Sequence, residues 1–301
     1  MFYGTANPAA VYNGEARRGD NLYTASVVAL DAATGALRWH HQEVPHDVWD
    51  WDSIYEPLLI ERNGRKLVVH LNKGGFVSVL DRADGKVVNV WPIVGYINWV
   101  KSVDPRTGEL IGRNEVPIGG DKLICPALTG ARNWNHGSYH PGTGLWYNNL
   151  LDICARITLG EPTDTWQGGY GSVKNFELTK KPGKAPGVLE AADPVTGKVK
   201  WRREFDMPHL SSILTTAGGL VFDLDPYGVV SAYDADTGKT LWSFNTGSGG
   251  RGGIVSYSIK GKQYILVPSG WGGWFGMIGQ QLFPDLAKIN GAAALIAFSL
   301  E

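Results

Sequence analysis

Tyr233-Asp234-Ala235-Asp236-Thr237-Gly238-Lys239-Thr240-Leu241-Trp242 carries a pattern that the chain repeats: aspartate, two residues, Thr-Gly, three residues, tryptophan. The spacing returns as Asp31-Ala32-Ala33-Thr34-Gly35-Ala36-Leu37-Arg38-Trp39 and as Asp193-Pro194-Val195-Thr196-Gly197-Lys198-Val199-Lys200-Trp201. Degenerate copies are Asp81-Arg82-Ala83-Asp84-Gly85-Lys86 and Asp104-Pro105-Arg106-Thr107-Gly108. The aspartate caps a tight turn, the glycine supplies a positive φ, and the flanks are β-branched and aromatic, so each copy predicts a hairpin. Its Trp is expected to pack onto the neighbouring sheet.

Working outward, strand-like runs cover 67–71, 76–80, 220–224, 229–233 and 264–268, and only 280–288 reads as weakly helical. Asp193 and Asp234 are 41 residues apart and Asp31 and Asp81 are 50 apart, spacings that fit a four-stranded β-propeller blade. The expectation is an all-β chain, a partial β-propeller of about four to five blades occupying 1–301 as one domain. The 40 Gly, 16 Pro and 12 Trp in 301 residues agree with frequent turns and stacked indoles.

With 28 basic against 29 acidic side chains, the net charge of -1 excludes a nucleic-acid binder that works by bulk charge, and 43% hydrophobic residues exclude a disordered tail. No apolar run reaches 18 residues, so no transmembrane helix is expected. The opening Met1-Phe2-Tyr3-Gly4-Thr5-Ala6-Asn7-Pro8 shows no signal peptide and reads as the interior of a strand followed by a loop. Cys125 and Cys154 are the only cysteines, which excludes covalently attached haem and Cys-rich zinc sites. There is no nucleophile elbow and no glycine-rich phosphate loop.

The Asp-x-x-Thr-Gly turn with its Trp resembles the tryptophan-docking motif of quinoprotein alcohol dehydrogenases, eight-bladed propellers that use pyrroloquinoline quinone (PQQ) and a metal ion. Four further segments are similar to that family, in the family's order: Tyr3-Gly4-Thr5-Ala6-Asn7-Pro8; Val44-Pro45-His46-Asp47-Val48-Trp49-Asp50-Trp51-Asp52; Leu71-Asn72-Lys73-Gly74-Gly75-Phe76; and Cys125-Pro126 through Arg132-Asn133-Trp134-Asn135 to Cys154. The likeness covers only a C-terminal portion of such an enzyme. The family's glutamate metal ligand, quinone-floor indole and adjacent-cysteine ring have no counterpart here, so a fragment is expected, one that by itself is inactive.

The resemblance implies Asp50 as catalytic base, and Asn7, Asp50 and Asp52 as metal-site residues. Two carboxylates and an amide oxygen are hard donors that suit Ca²⁺ or a lanthanide ion and not zinc. If the segment is extended, Asp50 and Asp52 face the same side. The aromatic frame of Trp49 and Trp51 would raise the Asp50 pKa unless a cation holds it ionised. Each residue also has a plainer reading: Asp50 as a turn cap, Asn7 as an Asn-Pro turn, Lys73 as a solvated side chain. By resemblance, Lys73 and Asn133 contact the quinone together with the flat indole of Trp134, which serves equally as a blade-docking aromatic. Leu210 stands where many relatives have Trp. His46 is read as a packing residue. Cys125 and Cys154 match the family's second disulfide, the plainer reading being two buried thiols.

The implied function is PQQ- and metal-dependent oxidation of a small alcohol to an aldehyde, in the periplasm, with electrons passed to a c-type cytochrome; a homodimer is compatible with it. Two other readings stand beside it: a non-catalytic propeller scaffold and a PQQ-dependent aldose dehydrogenase.

Overall fold

The computed structural model describes residues 1–161 and 172–299. Backbone proximity divides the chain into two compact units, Met1–Ala131 with Ile153–Thr179 and Arg132–Asp152 with Lys180–Glu301. Both are built from small antiparallel sheets in which most paired strands are sequential, the exceptions being Asp121–Ile124 with Ile153–Leu159 and Leu145–Leu151 with Gly187–Ala192, the blade construction of a partial propeller.

In the first unit, Phe2–Gly4, Ser26–Leu30 and Leu37–Gln42 form a three-stranded sheet, and Leu58–Arg62, Arg65–Leu71, Phe76–Asp81 and Val87–Pro92 a four-stranded one. Among the described residues Val100–Val103 pairs only with Leu110–Arg113, and Asp121–Ile124, Ile153–Leu159 and Val173–Lys180 make a further three-stranded sheet. The degenerate turn at Asp104 therefore closes a lone hairpin and not a complete blade. Cys125 and Cys154 form a disulfide within this unit across 29 positions of sequence.

In the second unit, Ser138–His140, Leu145–Leu151, Gly187–Ala192 and Val199–Phe205 form one four-stranded sheet, and Leu214–Thr216, Leu220–Leu224, Val229–Asp234 and Thr240–Asn245 another. The last sheet has three strands, Val255–Ile259, Lys262–Ser269 and Ala294–Ser299. The helical turn expected at 280–288 is shifted and broken: an α-helix spans Gly273–Ile278, and 3₁₀ turns span Gly279–Gln281 and Pro284–Lys288. Pro284 has no N–H to continue a helix and instead begins a new turn. No helix among the described residues is long and apolar enough to cross a membrane.

The repeated turn works as a local device and as a docking site. Asp234 Oδ1 accepts from the N–H groups of Asp236 and Thr237 and from the Thr237 hydroxyl, and Asp31 does the same for Ala33 and Thr34. Two of the three indoles, Trp39 and Trp201, then reach the turn of the following sheet. Trp39 Nε1 donates to Arg82 O at 3.1 Å, and Trp201 Nε1 donates to Ala235 O at 2.9 Å. The ring of Trp201 lies over Gly238, where a Cβ would come within 2.7 Å of Cδ2, so glycine is needed for the contact as well as for its φ of 71°. Trp201 also borders a core of Tyr147, Leu189, Val221 and Tyr233.

Trp242 departs from the expected docking. The sheet beyond it has no such turn, and the indole meets Phe298 edge-on at 5.1 Å while remaining 39% exposed.

Gly183 supplies an internal control for the docking contact, because its φ is also positive, 66°, yet the space around it is open. Alanine at Gly238 is expected to cost about 1–3 kcal/mol more in denaturant unfolding than alanine at Gly183. Equal losses would show that the indole contact adds nothing beyond backbone strain.

Candidate active site

Three aromatic rings build the floor on which the acidic segment rests. Trp49 and Trp51 both pack on Trp99, with centroids at 4.9 and 5.9 Å, and all three are fully buried. Asp47 shapes the chain between them: its Oδ1 accepts from Trp49 N at 2.9 Å and its Oδ2 from Trp51 N at 2.8 Å. The turn so formed places Asp50 at φ 75°, in the left-handed region. The segment is thus not extended, and the alternation argument for Asp50 and Asp52 does not apply.

The two carboxylates nevertheless meet, because a cation draws them together. Lys73 Nζ donates to Asp50 Oδ2 at 2.7 Å and to Asp52 Oδ2 at 2.9 Å. All three residues are buried, with relative exposures of 5% for Lys73, 3% for Asp50 and 8% for Asp52. Burial works against the ammonium, but the two adjacent carboxylates outweigh it and raise the Lys73 pKa above its ordinary value. Among the described residues no ammonium or guanidinium makes a hydrogen bond to the Asp47 carboxylate, and the Lys73 charge opposes the rise in its pKa only weakly. Burial, with the nearby charge of Asp50, pushes its carboxyl up to about 7 against the opposing pull of the two backbone N–H groups.

Lys73 lies in the loop joining Arg65–Leu71 to Phe76–Asp81, not on a strand. Asn72 anchors that loop: its Nδ2 donates to Trp51 O and to Ser53 Oγ, at 3.1 and 2.8 Å, while its Oδ1 accepts from Gly74 N at 2.7 Å. Trp99 Nε1 donates to Gly74 O at 2.9 Å, and a Cβ on Gly74 would fall 2.8 Å from the same indole. Side-chain bulk is therefore excluded next to Lys73. Beneath the loop, Ser53 Oγ donates to Glu43 Oε2, which also meets His70 Nδ1 at 3.0 Å.

Asn7 joins the group through its backbone, whose N–H donates to Asp52 Oδ1 at 3.1 Å. The structure thus brings together Asn7, Asp50, Asp52 and Lys73. His46 Nδ1 lies 2.7 Å from Gly19 O. Asn133 and Trp134 belong to the other unit. There they line an open cavity of about 790 Å³ with Leu210, Arg251, Trp271 and Trp274. Asn133 Oδ1 accepts from Trp134 N at 3.0 Å, and the Trp134 indole is 57% exposed.

Sequence reading misses Asp47, Asn72 and Arg251. Asp47 is the acid of Pro45-His46-Asp47-Val48-Trp49, two residues ahead of a backbone N–H it can accept from, which is the spacing of an Asx turn. Arg251 is the one charged residue in Gly247-Ser248-Gly249-Gly250-Arg251-Gly252-Gly253.

As a donor set for a hard cation, Asp50 and Asp52 fit in kind: two anionic oxygen ligands against a single ammonium leave an excess negative charge. They supply only part of a coordination shell. Among the described residues no group of three or more His, Cys, Asp or Glu is placed to hold a metal.

Comparison with known proteins bears on this site. The family model described as PQQ glucose/ethanol/alcohol dehydrogenase, β-propeller domain, matches residues 1–96 and 183–265. Quinoprotein alcohol dehydrogenase PedH of Pseudomonas putida is 34% identical, over 100% of this chain and 52% of its own length. A lanthanide-dependent methanol dehydrogenase of Methylorubrum extorquens is 32% identical, over 99% of this chain and 53% of its own. Among solved structures, a europium-containing methanol dehydrogenase matches 99% of this chain and 57% of its own with a TM-score of 0.89 at 30% identity. The chain spans about half the length of the curated relatives it matches.

Removing the cation tests the electrostatics. Lys73→Met strands two buried carboxylates and is expected to cost roughly 3–5 kcal/mol in chemical unfolding. Adding Asp50→Asn and Asp52→Asn should restore most of that loss, and a triple variant as unstable as Lys73→Met would overturn the pairing. A second expectation concerns pH. Native Asp47 keeps its proton to about 7, whereas unfolded aspartate releases it near 3.8, so the unfolded state binds fewer protons between these values and stability falls as pH rises through the window. Compared with Asp47→Asn, the parent chain should lose up to roughly 4 kcal/mol between pH 4 and 7, read from urea midpoints; a flat difference would mean that Asp47 is ionised in the fold.

Proposed function

Because the chain belongs to the family of PQQ-dependent glucose, ethanol and alcohol dehydrogenases, we propose that it carries the proton-abstracting half of an alcohol-oxidising site, in which Asp50 removes the hydroxyl proton of a primary alcohol. The observation that carries this reading is the convergence of Asp50 and Asp52 on the buried ammonium of Lys73. A carboxylate enclosed by three indoles would otherwise hold its own proton and be useless as a base, as its neighbour Asp47 does. The Lys73 ammonium favours the charged form of Asp50, as an adjacent opposite charge does, and fixes the direction of its Oδ2.

Asp50 and Asp52, with Asn7 beside them, would hold the metal ion, a Ca²⁺ or a lanthanide. Asp52 adds a second anionic oxygen, and such extra charge favours trivalent ions. A bound ion would supply Lewis acidity at the alcohol oxygen, and a bound quinone would supply the two-electron acceptor. Trp49, Trp51 and Trp99 exclude water from the base, which strengthens each charge interaction there. Asn133 and Trp134, at the cavity of the second unit, would contact the quinone. By the same reading the electrons pass on to a c-type cytochrome in the periplasm, an oxidising compartment that suits the Cys125–Cys154 bridge. A relative named methanol dehydrogenase [cytochrome c] subunit 1, from Methylorubrum extorquens, is 32% identical to this chain.

The test is dye-linked oxidation of an alcohol panel by the polypeptide loaded with PQQ and either Ca²⁺ or La³⁺. Asp50→Asn is expected to lower turnover by about 10²–10⁴-fold with an unchanged circular dichroism spectrum, and Asp52→Ala to weaken La³⁺ more than Ca²⁺. Undiminished turnover of Asp50→Asn would remove Asp50 as the base.

A further inference from the structure

The cavity of the second unit contains a charge that its own surroundings do not balance. Arg251 reaches it from the glycine-rich run 247–253 and donates through Nη1 to Gly272 O at 3.0 Å. Some guanidinium groups meet acids, as Arg202 meets Glu190 and Arg156 meets Asp121, and others donate to carbonyl oxygens, as Arg82 does to Ile60 O and Arg203 to Gly238 O. No Asp or Glu pairs with Arg251 among the described residues, and no acidic residue lines its cavity. Partial burial alone acts on it and lowers its pKa, with no acid to offset the effect.

The opposite wall is cleared to seat this side chain. A Cβ on Gly273, where φ is 74°, would lie 2.4 Å from Arg251 Nη1. Glycine is required there for both reasons. The same cavity is lined by Trp134, Trp271 and Trp274, with Asn133 and the aliphatic Leu210. Flat apolar walls with a single unneutralised planar cation match a flat aromatic ring that bears carboxylates, because a guanidinium binds a carboxylate through two parallel N–H donors.

We infer that Arg251 is a carboxylate clamp in this cavity, so that the second unit recognises its planar ligand as an aromatic polyanion and not only as a flat ring. The inference rests on the proposed function in naming that ligand as the quinone, which carries ring carboxylates. The clamp acts on binding alone and takes no part in the proton transfer assigned to Asp50. It also gives the cavity a salt dependence that stacking on indoles lacks.

The experiment is a titration of the chain with PQQ in the presence of Ca²⁺, and in parallel with the trimethyl ester of PQQ, read by quenching of tryptophan fluorescence and by calorimetry. The parent chain should prefer the acid to the ester. Arg251→Gln should weaken the acid about 10- to 100-fold and leave the ester unchanged, and Arg251→Lys should recover part of the loss. Gly273→Ala keeps the charge but displaces it, and should reduce the same preference in case Arg251→Gln does not fold. If the parent chain binds PQQ and neither Arg251→Gln nor Gly273→Ala alters the ratio of acid to ester, the clamp is wrong and the quinone reading stands. If the parent chain binds neither compound, both are wrong.

Discussion

One ammonium determines what the acidic turn can be. Two carboxylates separated by a single residue, enclosed by Trp49, Trp51 and Trp99, would repel each other and lose hydration; Lys73 Nζ within 3 Å of both turns that liability into a charged, ordered group. The neighbouring acid shows the alternative, a carboxyl whose oxygens meet backbone N–H groups and to which the Lys73 charge is only a minor influence. Asp47 is equally enclosed, spends its oxygens on two backbone N–H groups and holds its proton to about 7. Identical side chains three positions apart thus sit in different settings, Asp50 on the Lys73 ammonium and Asp47 on backbone N–H groups with a carboxyl that burial pushes up to about 7.

That lysine is aimed by contacts that are themselves uncharged. Asn72 ties its loop to the backbone of Trp51 and to Ser53, and Trp99 both holds Gly74 and supports the acidic turn from below. The same indole therefore supports both partners of the ion pair. A site of this kind is set by packing first and by charge second, because the charges have no freedom to search for each other once the rings are in place.

The fold is legible in the sequence because its signal is local. Within nine residues the Asp turn supplies its own cap, its own glycine and its own docking indole, and the contacts of Asp234, Gly238 and Trp201 need nothing from distant sequence except a neighbouring copy. The acidic pair is legible as a pair, though through an assumption of extended chain that the φ of Asp50 contradicts. The group that closes the pair is a lysine more than twenty residues away, and the sequence alone assigns that lysine to a ligand. Arg251 leaves no mark at all, since glycines on either side carry no periodicity and its cavity is formed by residues from 133 to 295. Trp242 shows the limit of repeat logic: the motif is intact, but the next sheet offers no turn to receive it.

The outer strand Thr240–Asn245 is exposed along all six residues and carries Leu241, Trp242 and Phe244 on its surface, with the Trp242 and Phe244 rings stacked 6.3 Å apart. An apolar strip on an unpaired strand edge is a surface that water wets poorly and that another chain can extend. Handled by itself in solution, the polypeptide therefore has a colloidal weak point at this strand, where charge substitutions on Leu241 and Phe244 would raise solubility without reaching either the acidic turn or the arginine cavity.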